Sequence, residues 1–171
     1  MPTILPIMQN AYLLIGSNLG NKIEQLEKAV QYIQKECGQI VKRSAFYETA
    51  PWGFTDQPAF MNQALWIQTV LEPEALMQSL LNIEARMGRI RTVKLGPRII
   101  DLDILQIDQL IIDTPILQIP HPAMTERRFA LAPLAEIAPD LMHPKLQKTA
   151  SELLLACTDI VTGKQIGRAH V

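Results

Sequence analysis

The chain has 171 residues, 48% of them hydrophobic and 19% charged, and a formal net charge of −1. That length suits one domain with a proper core. No run approaches the roughly 18 apolar residues needed to cross a membrane, and Met1 to Asn10 lack the basic start and apolar stretch of a signal peptide. The two cysteines, Cys37 and Cys157, lack metal-ligand spacing and suit a reducing cytoplasm.

After an N-terminal extension, residues 1–10, residues 11–16 read as a short apolar strand. Ser17 or Asn18 can cap the helix that follows. In that helix Ile23, Leu26, Ala29, Val30, Ile33 and Cys37 recur at helical spacing, and Gly38 stops it. Cys37 falls on the apolar stripe and reads as a packing residue. Gly16 to Lys22 is not a nucleotide phosphate loop, because three residues rather than four separate its glycines and Asn21 precedes Lys22. Residues 40–48 form a second strand, and Thr49 to Pro58 is a loop with two prolines and a glycine. Residues 61–69 form a third strand. Glu72 to Met87 is a helix with Leu76, Met77, Leu80, Leu81 and Glu84 on or near one face.

Positive charge then concentrates in Arg86, Arg89, Arg91, Lys94 and Arg98. With few apolar anchors and no regular pattern after Gly88, residues 86–96 are expected to be a mobile loop that phosphate orders, and Thr49 to Pro58 a weaker second case. Pro97 suits the start of a strand that continues through Asp101 to Leu105, with a short hairpin expected around Asp108 and Gln109. A helix from about Thr125 to Ile137 and a small one at Ser151–Ala156 follow. Gly163 to Val171 shows no apolar pattern, so residues 161–171 read as a disordered tail or an appended scar, and a single domain spans 11–160. The β-α-β-β-α-β order is the α+β, ferredoxin-like sandwich: an antiparallel sheet with helices packed on it, here with C-terminal additions.

Side chains alternate faces along a strand, so Asp101 and Asp103 point the same way, roughly 7 Å apart. Ile100, Leu102 and Ile104 point into a core. Two carboxylates side by side repel unless something cationic sits between them. A hard divalent ion, or two bridged by phosphate oxygens, is the natural candidate, and the arginines just upstream suit a polyphosphate held together with Mg²⁺. An RNA-binding sheet of this fold would need aromatics and basic residues on its face. Paired aspartates there argue against nucleic acid.

The run Lys94-Leu-Gly-Pro-Arg-Ile-Ile-Asp-Leu-Asp-Ile-Leu105 closely resembles the signature of the 6-hydroxymethyl-7,8-dihydropterin pyrophosphokinase family. Ala11 to Gly20 resembles the family's opening strand and loop. Asp56 to Asn62 resembles its pterin-side motif, and Pro120 to Met124 with Arg127 and Phe129 its late nucleotide and pterin segment. The resemblance covers residues 11 to 156 in the family's order. It implies a folate-biosynthetic enzyme: the pterin hydroxymethyl oxygen attacks the β-phosphorus of ATP, and AMP and the pterin diphosphate form. It further implies two Mg²⁺ held by Asp101 and Asp103, and a cytoplasmic monomer that takes small molecules but no nucleic acid or membrane.

Residue by residue, Arg89, Arg98 and Arg127 match the family's phosphate-clamping arginines, and Arg91 lies in its catalytic loop. Glu84 and His121 match the adenosine and phosphate side. Phe60 and Phe129 match two aromatics that stack on the pterin, and Asn62 the amide that reads its edge. Thr49, Ala50 and Trp52 match the loop whose backbone reads the ring, with Asp101 completing that side. The chain departs from some members in a loop one residue shorter between Arg91 and Gly96, with Leu95 in place of tryptophan. Phe60 replaces a tyrosine, and Trp52 replaces a smaller aliphatic residue. Two readings of other classes stand beside this one: a different metal-dependent nucleotidyl or glycosyl transferase with D-x-D aspartates, and a non-enzymatic ferredoxin-like ligand-binding domain.

Overall fold

The computed structural model describes residues 7–49, 58–89 and 98–159 and the backbone of 164–168. The chain runs through β1 (Gln9–Ser17), α1 (Lys22–Glu36), β2 (Gln39–Arg43), β3 (Ala45–Thr49), β4 (Phe60–Thr69), α2 (Pro73–Arg86) and β5 (Asp101–Ile107). Strands β1, β4 and β5 pair antiparallel, with β1 in the middle, and the sheet order β5-β1-β4-β3 is ferredoxin-like, as expected.

The first helix forms because Leu26, Ala29, Val30 and Ile33 repeat at three- and four-residue spacing and are all buried. Its cap is neither Ser17 nor Asn18. Asn21 does this work, its side-chain oxygen accepting from the Glu24 N–H at 3.1 Å, and both Ser17 and Asn18 lie fully buried upstream. The second helix opens on Pro73, which loses nothing in the first turn, and buries Leu76, Leu80 and Ile83.

The strand expected over 40–48 is two strands, β2 and β3, broken at Ser44. Against β4 the register shifts between Ile40 and Lys42. At the break the side chain substitutes for the ladder: Ser44 Oγ accepts from Ala64 N at 2.9 Å, and Gln63 Nε2 donates to Ser44 O at 2.7 Å.

Past β5 the chain turns at Asp108, whose φ is 41°, as the hairpin expectation requires. The paired strands come later, however, as β6 (Ile112–Asp113) and β7 (Gln118–Ile119) around Thr114–Leu117. The helix expected from Thr125 divides into a 3-10 turn at Met124–Glu126 and α3 (Arg128–Ile137). Next comes α4 (Ala150–Ala156), closed by a capping box of Thr149 and Glu152. Residues 164–168, which carry no apolar pattern, form β8 (Lys164–Arg168), paired antiparallel with β3 at the edge of the sheet. Backbone pairing at an edge needs no apolar alternation.

The sheet separates two cores. On one face Ala11, Leu13, Ile15, Leu65, Ile67, Leu102 and Ile104 meet α1 and α2; each fully buried Leu or Ile there contributes about 1.5–3 kcal/mol. Cys37 belongs to this core, as expected. On the other face Tyr12, Leu14, Ala64 and Leu105 meet α3 and α4. No helix among the described residues is long and apolar enough to cross a membrane.

Candidate active site

One row of residues across three strands sets the floor of the site. Asn62 on β4 stands opposite Gly16 on β1, and Gly16 stands opposite Asp101 on β5. One row further in, Leu14 has Ala64 and Asp103 as its neighbours. Gly16 leaves a gap in the first row; a Cβ there would lie 2.6 Å from Asn62 Oδ1. The helices α3 and α4 cover the Leu14 end of this face, and the Gly16 end opens into a narrow recess.

That recess is lined by Phe60, Asn62 and Thr49 on one side, and by Arg98, Arg127 and Phe129 on the other, with both aspartates at its base. Asn62 Nδ2 donates to Thr49 Oγ1 at 2.9 Å, which fixes the amide and turns Oδ1 toward Gly16. The Arg127 guanidinium sits 5.6 Å from the Phe129 ring centroid. A second, wider cleft of about 640 Å³ runs between α2 and the 115–122 segment, lined by Leu81 and Glu84 on the helix and by Ile116 and His121 opposite. The described residues common to the two spaces are Asp101 and Asp103.

The two carboxylates live in different surroundings. Both oxygens of Asp101 are taken, Oδ1 by Arg89 Nη1 at 2.6 Å and Oδ2 by Arg98 Nη1 at 3.0 Å. Arg89 is held from behind, because its Nη1 also donates to Glu84 Oε2 at 2.6 Å. That oxygen also accepts from the Leu102 N–H at 2.7 Å. Glu84, its side chain 3% exposed, thus pins both the arginine and the start of β5. The buried Nε of Arg89 has no partner among the described residues. Half-buried Asp103 makes no hydrogen bond or ion pair among the described residues. Burial first, then the neighbouring charges of Asp101 and Glu84, push its carboxyl up to about 7 against the pull of Arg89 and Arg98. His121 is held below the usual histidine value by burial and by Arg127. Its Nδ1 accepts from the Ala123 N–H at 3.2 Å.

Of the residues singled out in the sequence, Thr49, Phe60, Asn62, Arg98, Asp101, Asp103, Arg127 and Phe129 converge on the recess, and Glu84 and His121 on the cleft. Arg89 lies between Glu84 and Asp101. Ala50, Trp52 and Arg91, and residues 90–96 of the segment 86–96 expected to be mobile, lie outside the described residues; of the rest of that segment, Arg86 ends α2, Met87 is buried and Arg89 is held by Glu84 and Asp101. Two contributors were not singled out. Gly16 reads as an ordinary turn glycine until its strand neighbours are known, and the Pro115–Gln118 wall carries no polar motif.

The donor set fits a hard divalent cation. Among the described residues no three His, Cys, Asp or Glu side chains converge, so the protein offers two carboxylates and leaves other positions to water and substrate oxygens. That is how Mg²⁺ is usually held. An ionised Asp103 with no cation bound is costly, and a metal would relieve it.

The family model for 7,8-dihydro-6-hydroxymethylpterin-pyrophosphokinase matches residues 12–139. The chain is 46% identical over 136 residues to the 2-amino-4-hydroxy-6-hydroxymethyldihydropteridine pyrophosphokinase of Methylorubrum extorquens, covering 79% of this chain and 86% of that one. It is 41% identical over 145 residues to the folic acid synthesis protein fol1 of Schizosaccharomyces pombe, covering 84% of this chain and 20% of that longer one. Its fold is similar to the crystal structure of Plasmodium falciparum HPPK-DHPS, with a TM-score of 0.73 at 18% identity. The match covers 88% of this chain and 45% of that one, so this chain spans under half of that protein.

Proposed function

The chain belongs to the 7,8-dihydro-6-hydroxymethylpterin-pyrophosphokinase family and so transfers pyrophosphate from ATP to 6-hydroxymethyl-7,8-dihydropterin in folate synthesis, and we propose that the transfer takes place where its two recesses meet, at Asp101 and Asp103. One observation carries this reading: among the described residues, two spaces of different character have only the paired carboxylates in common. A two-substrate displacement needs both reactants brought into line at one point.

The smaller recess suits the pterin. Phe60 and Phe129 offer faces to a planar heterocycle, and Asn62, fixed by Thr49, offers an amide to its edge. The wider cleft suits ATP, with Leu81 and Ile116 beside the base and His121 toward the phosphates. Arg89, Arg98 and Arg127 supply the positive charge that a triphosphate needs. Asp101 and Asp103 would hold Mg²⁺, which, when bound, supplies charge neutralisation of the phosphates and makes the attacking hydroxyl more acidic. In the reaction the hydroxymethyl oxygen gives up its proton to water and forms a bond to the β-phosphorus, the bond from that phosphorus to the α-bridging oxygen breaks, and AMP leaves with that oxygen.

The proposal extends to two Mg²⁺ ions and to a cytoplasmic monomer acting on small molecules. Both cysteines are buried and unpaired, which suits a reducing compartment. Calorimetry with a non-hydrolysable ATP analogue, Mg²⁺ and the pterin tests the site assignment. We expect one molecule of each on the chain together. Mutual exclusion would sink the two-recess reading.

A further inference from the structure

Asn18 is fully buried yet caps no helix. It lines neither recess. Its amide instead joins two segments distant in sequence. Oδ1 accepts from the Arg98 N–H at 2.7 Å, and Nδ2 donates to Pro58 O at 3.1 Å. Its backbone N–H donates to Arg98 O at 3.0 Å. Each attachment leads directly into the site. Pro58 lies two residues before Phe60, on the wall of the pterin recess. Arg98 donates to Asp101 Oδ2 at 3.0 Å.

We propose that Asn18 is a positioning residue that couples the two substrate sites: the backbone carrying Phe60 and the backbone carrying Arg98 move as one because one buried amide holds both. The chemistry is specific to an amide. An aspartate at this position would keep the acceptor for Arg98 but lose the donor for Pro58. A leucine of similar size would lose both. A buried donor or acceptor left unmade is costly, so the two segments are expected to sit correctly together or not at all. Lys22 provides the comparison, because its Nζ donates to Ala59 O at 3.1 Å and so fixes the same approach to Phe60 without reaching Arg98. A triphosphate that engages Arg98 should therefore be felt at Phe60 through Asn18 and not through Lys22.

This inference rests on the assignment of the recesses to pterin and ATP. Its test is the pterin affinity measured by calorimetry with and without Mg²⁺ and a non-hydrolysable ATP analogue. In the wild-type chain the analogue should tighten pterin binding about tenfold or more, within the usual range of coupling between sites. In Asn18→Leu and Asn18→Asp the enhancement should fall to about twofold or less. Asn18→Asp should keep its affinity for the nucleotide analogue within about threefold, because it keeps the Arg98 bond. Lys22→Met should keep the wild-type enhancement. Thermal unfolding shows which variants fold; if Asn18→Leu does not, Asn18→Asp carries the test. Wild-type enhancement in a folded Asn18 variant would reduce Asn18 to a structural residue and overturn the inference. So would no enhancement in the wild type, or an equal loss in Lys22→Met. Failure of the wild-type chain to bind either ligand would overturn the site assignment and the inference together.

Discussion

Replacing Asp103 by asparagine should cripple the enzyme while making the metal-free fold more stable. Asp103 is a half-buried carboxyl whose folded pKa is about 7, against an ordinary value of 3.8. Below about pH 4 it is protonated in both states and favours neither. Between about 4 and 7 the unfolded chain has released its proton while the folded chain still holds it, so stability falls as pH rises. Above 7 the whole penalty is present. At about 1.4 kcal/mol per tenfold change in proton affinity, the step sets a ceiling of roughly 4 kcal/mol. Asp103 keeps some access to water, and the new amide must itself be partly desolvated, so about 1–2 kcal/mol is the reasonable expectation. Asp103→Asn removes that penalty. In metal-free buffer at pH 8 its Tm should rise by about 3–6 °C, with no gain at pH 4. Turnover should drop at least about a hundredfold, the scale of one lost electrostatic contact to a transition state. Paired calorimetric melts at the two pH values and a steady-state assay decide it. A variant less stable than the wild type at pH 8, or one whose gain is the same at pH 4, would refute the electrostatic reasoning.

Phe129→Ala should weaken pterin binding by about 1–2 kcal/mol and leave the affinity for an ATP analogue within about threefold. Equal losses for both ligands in calorimetry would make Phe129 a packing residue. Gly16→Ala puts a methyl 2.6 Å from Asn62 Oδ1 and should raise the pterin KM about tenfold or more, the scale of one disturbed polar contact. An unchanged KM would show that Asn62 does not read the substrate. Glu84→Gln keeps an acceptor for the Leu102 N–H but removes one of two carboxylates from Arg89. It should cost about 2 kcal/mol and about 4–8 °C of Tm, and an unaltered melt would mean that Asp101 alone holds the arginine.

Much of this architecture was legible because apolar residues repeat with the period of the element they build. The Leu26-Ala29-Val30-Ile33 stripe marks a helix. The alternation of Ile100, Leu102 and Ile104 with Asp101 and Asp103 fixes which face carries the carboxylates. The Ser44 break was hidden because the buried hydroxyl substitutes for a backbone bond, which no sequence pattern reports. Asn18 was misread for a related reason. A Ser-Asn pair before a helical stripe looks like a cap, but its partners Pro58 and Arg98 lie 40 and 80 residues away, beyond any local pattern. The site residues were matched by motif. That Asp101 is already held by Arg89 and Arg98, while Asp103 has no such partner among the described residues, depends on Glu84 fixing Arg89 from α2. No spacing rule reports it, although the expected repulsion is present, since Asp101 helps to push the Asp103 carboxyl up.

The central claim is that pyrophosphate crosses from one recess to the other over Asp101 and Asp103. Single-turnover chromatography tests it most directly, with ATP, Mg²⁺ and 6-hydroxymethyl-7,8-dihydropterin mixed with the wild-type chain, Asp101→Asn or Asp103→Asn. AMP and pterin diphosphate should form in equal amounts from the wild type, at rates at least about a hundred times those of either variant. ADP among the wild-type products, or either variant within about tenfold of the wild-type rate, would contradict it.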